Sequence, residues 1–276
     1  MKPYKFLFSA IAIFSFAAPS VFAQKGTPTL ELEAIGDVRI GADGQVLDYT
    51  LKNNLAPAIS ALVDKNVRKW TFDPIVVDGK AVIAKTSVHL YLKAVPAQQD
   101  NYSLQITNVI FGEPKMAAKN QAPKYPPAAV QARLGAKVIL WLKLDKSGDV
   151  IDVQPYQTSL DGRAATEVEA ERWRALFEKS GIAAAKNWHY DLNETLNGKT
   201  VGTTVFAPIN YVVELPGKPR PAGEWKAFLP GPLHTGPWST TNQLAVTRDL
   251  STLQQGETQP LDSHFRLKED VIGKTL

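Results

Sequence analysis

The chain contains no cysteine in 276 residues. This removes disulfides, thiolate metal sites, cysteine nucleophiles and a lipid-modified cysteine at an export cleavage point. Histidine is also scarce. His89, His189, His234 and His264 each lack a second histidine or carboxylate at the i, i+4 spacing of a helical zinc site. There is no Gly-x-Ser-x-Gly elbow, no phosphate-cradling loop and no dinucleotide fingerprint, so the sequence names no catalytic residue, no metal ligand and no cofactor. Asp145-Lys146-Ser147-Gly148-Asp149 has the look of a calcium loop, but Tyr156 stands where the bidentate glutamate belongs, and the segment reads as a turn.

Strong charge of one sign is lacking too. Lysine and arginine number 31 against 27 aspartates and glutamates. No stripe of basic residues interleaved with aromatics suggests nucleic acid. Long apolar runs are absent except at the start, where Lys2 and Lys5 precede an apolar stretch over residues 6–18 and Val21-Phe22-Ala23 follow with a small residue at the end. That pattern is an export signal, expected to be cleaved after Ala23, with an uncleaved inner-membrane anchor as the alternative. Cleavage removes two lysines and leaves 29 basic residues against 27 acidic ones. A cysteine-free exported chain points to the bacterial periplasm.

What the sequence does contain is an ordered set of short elements. Tyr125-Pro126-Pro127-Ala128-Ala129 opens a short helix, since proline is tolerated in the first helical turn. Residues 136–144 and 149–154 form two strands around the turn Asp145-Lys146-Ser147-Gly148. A longer helix follows and exits through Trp188-His189-Tyr190-Asp191, and residues 202–215 form a closing strand. This order resembles the C-terminal domain of TonB, the periplasmic protein that links inner-membrane energy to outer-membrane transporters. The resemblance covers roughly a third of the chain. It departs from that family in extra residues between Gly162 and Gly181 and in lacking the proline-rich, charge-alternating spacer of a transducer.

A second, degenerate version precedes it. Residues 36–40 lead through Asp43-Gly44 into residues 46–51. Leu55, Ile59, Leu62, Val63 and Trp70 then recur at helical spacing. The exit Trp70-Thr71-Phe72-Asp73 matches Trp188-His189-Tyr190-Asp191, and Asp78-Gly79-Lys80 matches Asn197-Gly198-Lys199. The expected fold class is therefore α+β, with two small TonB-like modules, each an antiparallel sheet packed with helix. The expected boundaries are a signal peptide over 1–23, a degenerate module over 29–95, a linker over 96–120, a TonB C-terminal-like domain over 121–215, and an extended or partly disordered proline- and glycine-rich tail over 216–276. Part of that tail is expected to lie along the modules, because Trp225, Phe228, Leu229, Trp238 and Phe265 are too apolar for a free linker.

In the TonB family the last strand of the domain receives a short peptide from the transporter. Carried onto this chain, the resemblance implies a partner-binding strand offering Thr203, Val205, Ala207, Ile209, Tyr211 and Val213, with Gln121 and Tyr125 beside it. The implied function is non-enzymatic binding of a protein or peptide, an outer-membrane transporter among the candidates, by strand addition to an open sheet edge. No nucleic acid or small-molecule substrate is indicated. The alternatives are a self-contained envelope scaffold whose edge is already covered and, more remotely, a periplasmic hydrolase.

Overall fold

Turns ending in Gly44 and Gly148 reverse the chain at the two places where alternating apolar residues resume in the opposite direction. In the computed structural model, residues 30–96, 102–162, 164, 166–213, 228–235 and 250–276 are described. The expected cleavage site after Ala23 lies outside them, as do Trp225 and Trp238. The chain is α+β. β1 (Glu31–Ile40) and β2 (Val46–Leu51) flank the first turn, and α1 (Pro57–Val67) follows with Pro57 at its first position. Next come the short hairpin β3 (Val76–Val77) and β4 (Lys80–Ala81), then the long strands β5 (Ala84–Pro96) and β6 (Tyr102–Phe111), and β7 (Lys115–Met116).

The second set begins with α2 (Pro127–Gln131), β8 (Gly135–Leu144), β9 (Val150–Asp161) and α3 (Glu167–Ala185). It ends in β10 (Tyr190–Asp191), the hairpin β11 (Thr195–Leu196) and β12 (Lys199–Thr200), and β13 (Thr203–Tyr211). Thr166 caps α3 by accepting the Glu169 backbone N–H at 3.1 Å. Beyond these lies β14 (Gln259–Pro260).

The two sets repeat their local geometry. β5 pairs with β1, which pairs with β2; β13 pairs with β8, which pairs with β9. Phe72 N–H donates to the Gly44 carbonyl at 2.9 Å, and Tyr190 N–H donates to the Gly148 carbonyl at 2.8 Å. Asp78 and Gly79 have φ of 50° and 76°, and Asn197 and Gly198 have 49° and 75°, the positive pair that a tight two-residue hairpin demands. Val82 N–H reaches the Ile75 carbonyl at 2.9 Å, and Val201 N–H reaches the Glu194 carbonyl at 3.2 Å.

Each sheet buries a core of its own. Val38, Ile40, Val63, Trp70, Phe72, Val88 and Leu90 fill the first, and Val138, Leu140, Leu142, Phe177, Trp188 and Val205 the second. β8 is buried on both faces because α3 covers one and Leu250 and Leu253 cover the other, against Ile139, Trp141 and Phe206. That explains its nearly unbroken apolar run, which a one-sided strand would not carry. Gly181 lets α3 approach closely, since a β-carbon there would stand 2.9 Å from Ile209 Cδ1.

Two features depart from the expected boundaries. Residues 102–111, strand-like in content but set within the expected linker, form β6 and pair with β5 from Val88–Phe111 to Pro96–Tyr102; Leu104, Ile106, Val109 and Phe111 meet the first core, the face changing at the irregularity opposite Tyr91 and Leu92. The β11–β12 hairpin of the second set also reaches across to pair with β5 of the first, through Thr195–Lys85 and Leu196–Ala84.

The described parts of the tail run along sheet edges. Leu229 exchanges two backbone hydrogen bonds with Leu160 at 2.9 Å each, on the outer edge of β9. Leu276 N–H donates to the Leu104 carbonyl, and Ile106 N–H donates to the Lys274 carbonyl, on β6. Phe265, Leu267, Val271 and Leu276 join the first core. No described helix is long and apolar enough to cross a membrane.

Candidate functional site

β13 lies at the edge expected to receive a partner, and its backbone direction follows from who bonds to it. Thr204 carbonyl accepts Leu261 N–H at 2.9 Å, and Thr204 N–H donates to Asp262 Oδ1 at 2.7 Å. Asn210 N–H donates to Gln255 Oε1 at 2.9 Å. Backbone groups alternate along a strand, so Thr204, Phe206, Pro208 and Asn210 face outward while Thr203, Val205, Ala207, Ile209 and Tyr211 bond to β8. Pro208 leaves that outer row one donor short.

The structure therefore corrects the expected site in two respects. The outer edge is not open at its start, because β14 pairs there through Val205–Pro260 and Phe206–Gln259, and Thr203 Oγ1 donates to Asp262 Oδ1 at 2.6 Å. The named side chains are also unavailable. Val205, Ala207, Ile209 and Tyr211 are buried in the second core, under α3. Val213 falls beyond the end of the strand.

Tyr125 and Gln121 support the fold. Tyr125 hydroxyl donates to the Leu134 carbonyl at 2.7 Å, and its ring stands edge-on to Phe177 and Tyr211. Burial, helped by Asp161, pushes its phenol above the usual range. Gln121 carbonyl accepts Trp188 Nε1–H at 2.9 Å. Thus Tyr125 meets Tyr211 and Gln121 meets Trp188, but no hydrogen bond joins Gln121 to β13.

Three of the four histidines find carboxylates that local spacing did not reveal. His89 lies between Glu113 at 3.0 Å and Glu33 at 3.2 Å; burial opposes its charge, but the two carboxylates outweigh that and raise its pKa. His189 sits 2.8 Å from Asp149, and His264 2.6 Å from Glu194. Glu194 is buried and also accepts Ser263 Oγ–H at 2.8 Å and His264 N–H at 2.9 Å, tying the tail to the β11 hairpin. No group of three or more potential metal ligands occurs among the described residues. These histidine–carboxylate contacts read as structural fastenings.

A groove of about 760 Å³ opens beside this region, between the stretch 119–127 and the outer side of α3. Tyr125, Leu176, Ala183 and Trp188 line it, with Lys119, Lys124 and Lys179. Gln121 and Tyr125, expected beside the partner-binding strand, line this groove instead, and the α3 wall was not foreseen because it lies some fifty residues further along the chain.

Comparison with known proteins bears on the same question. Over 99 residues, 36% of this chain, the sequence is 30% identical to proteins named Protein TonB from two strains of Xanthomonas campestris pv. campestris, B100 and ATCC 33913. The match spans 38% of those proteins' length. No protein-family model matches the chain, and no solved structure matches it.

Proposed function

We propose that this chain is an envelope-associated, non-enzymatic protein-interaction protein of TonB-like kind, built from two modules of one fold and working in the periplasm after export. The partial TonB similarity supports the general role. The observation that carries the binding mode is the pairing of β14 with β13: that edge accepts an added extended segment, here the chain's own. A protein or peptide partner, an outer-membrane transporter among the candidates, would then exchange with the tail along Thr204, Phe206 and Asn210. The self-contained scaffold is the second reading, favoured by the same pairing if the tail never leaves and by the matching cover on β9 and β6.

A reversible lock separates the two. Thr203 and Asp262 touch through their side chains, and the chain has no cysteine of its own, so Thr203→Cys with Asp262→Cys introduces a single possible bridge. Proteins retained from a cell-envelope extract by the reduced form and lost on oxidation would support strand exchange. Equal retention by both forms would overturn exchange at β13 and leave the covered scaffold.

A further inference from the structure

We propose that the groove between residues 119–127 and α3 is a binding site for an anionic amphipath, a molecule with one acidic head and a hydrocarbon body such as a long-chain carboxylate. This does not depend on strand exchange at β13. A volume of about 760 Å³ lies in the range of small-molecule sites.

The chemistry of the walls selects the ligand. Several polar side chains at the groove are already committed to the protein. Tyr125 hydroxyl is bound to the Leu134 carbonyl, Trp188 Nε1–H to the Gln121 carbonyl, Ser180 hydroxyl to the Lys124 carbonyl, and the Asn120 amide to the backbone of His189. Tyr125, Pro127, Leu176, Ala183 and Trp188 add ring, methyl and methylene surface to the groove, with Leu176 39% exposed, a large aliphatic side chain left in part in water. A hydrocarbon body gains by covering such a surface.

Charge fixes the head group. Lys119, Lys124 and Lys179 border the groove, no carboxylate lines it, and none of the three lysines has an ion-pair partner among the described residues. Three ammonium groups around one apolar surface favour an acid over an alcohol or an amine.

The test is calorimetric titration of the full mature chain with dodecanoate, dodecanol and dodecylammonium, each below its micelle concentration, with the Trp188 indole N–H resonance followed in parallel and assigned through Trp188→Phe. Dodecanoate should bind at one site, about tenfold or more tighter than the alcohol, and should shift the Trp188 signal. Lys179→Glu should weaken it by a similar factor, and Ala183→Trp should abolish it; both changes are on the exposed side of α3, and unchanged thermal melts show that the fold survives. Equal binding of acid and alcohol, binding that persists in Ala183→Trp, or no saturable binding of dodecanoate would overturn the proposal. So would self-association that Ala183→Trp removes, which assigns the groove to a second copy, or a saturating acidic peptide that binds while dodecanoate does not.

Discussion

The Tyr190 carbonyl oxygen lies 1.9 Å from where a β-carbon on Gly148 would stand, and Gly148 itself has a φ of +88°. Phe72 and Gly44 stand in the same relation, at 2.0 Å and +82°. In both places the segment leaving the helix is clamped to the strand turn by a contact that any side chain would destroy. Gly148→Ala and Gly44→Ala should each destabilise the protein, by roughly 1–3 kcal/mol from backbone strain alone and more from the lost clamp. Chemical denaturation measures this; a change below about 0.5 kcal/mol at either glycine would show that the clamp yields.

Trp70 and Trp188 occupy matching positions just before those clamps, 8% and 2% exposed. Truncating either to alanine should cost about 3–5 kcal/mol, as removal of large buried side chains does. Trp188→Phe keeps most of the packing but frees the Gln121 carbonyl, and should cost only about 1 kcal/mol. Unfolding curves that put Trp188→Ala and Trp188→Phe within error of each other would mean that the ring packs little.

Val205 bonds to β8, so proline there removes a ladder hydrogen bond inside the sheet. Val205→Pro should cost about 3 kcal/mol or more and loosen the second core, visible as lost near-ultraviolet dichroism. Asp262→Ala acts on the outer side. It should leave the sheet intact while speeding amide exchange at Thr204, with about 1 kcal/mol lost. If Asp262→Ala leaves Thr204 exchange unchanged, the tail is not held by that carboxylate.

The Glu194–His264 pair links tail attachment to pH. The hydrogen bond that the His264 ring donates to Glu194 raises the pKa of His264, against an opposing effect of burial and with further help from Glu194 and Asp262 charge. A raised folded-state value means that the stabilisation is complete below the ordinary histidine value of 6.5 and fades as pH rises through the raised one. The gap in melting temperature between wild type and His264→Gln should therefore narrow from pH 5.5 toward pH 8. His89, raised by Glu113 and Glu33, contributes with the same sign and stays in both proteins. A gap that widens with pH would contradict the assigned pair.

Local chemistry made much of this molecule legible. Alternation of apolar residues, the glycine-containing turns at Asp43-Gly44 and Asp145-Lys146-Ser147-Gly148 and the proline-opened helix place β1, β2, β8, β9, β13 and α2 without reference to anything distant. These depend on residues within a few positions of one another, and sequence displays such relations directly. β6 is strand-like in content, but its core-facing residues change parity between Ile106 and Val109, so a local period does not separate an edge strand from a linker until β5 is there to pair with.

The sequence by itself therefore determined the α+β character and the turns, because backbone preferences and hydrophobic period act locally. Tertiary structure alone decided which edges are free. Pairing of Leu229 with Leu160, of Pro260 with Val205 and of Leu276 with Leu104 joins segments far apart in the chain, and no spacing rule relates an extended tail to the strand it will cover. The outward row of β13 was settled in the same way, since alternation says that every second residue faces out but only a bound neighbour, here Asp262 on Thr204, says which.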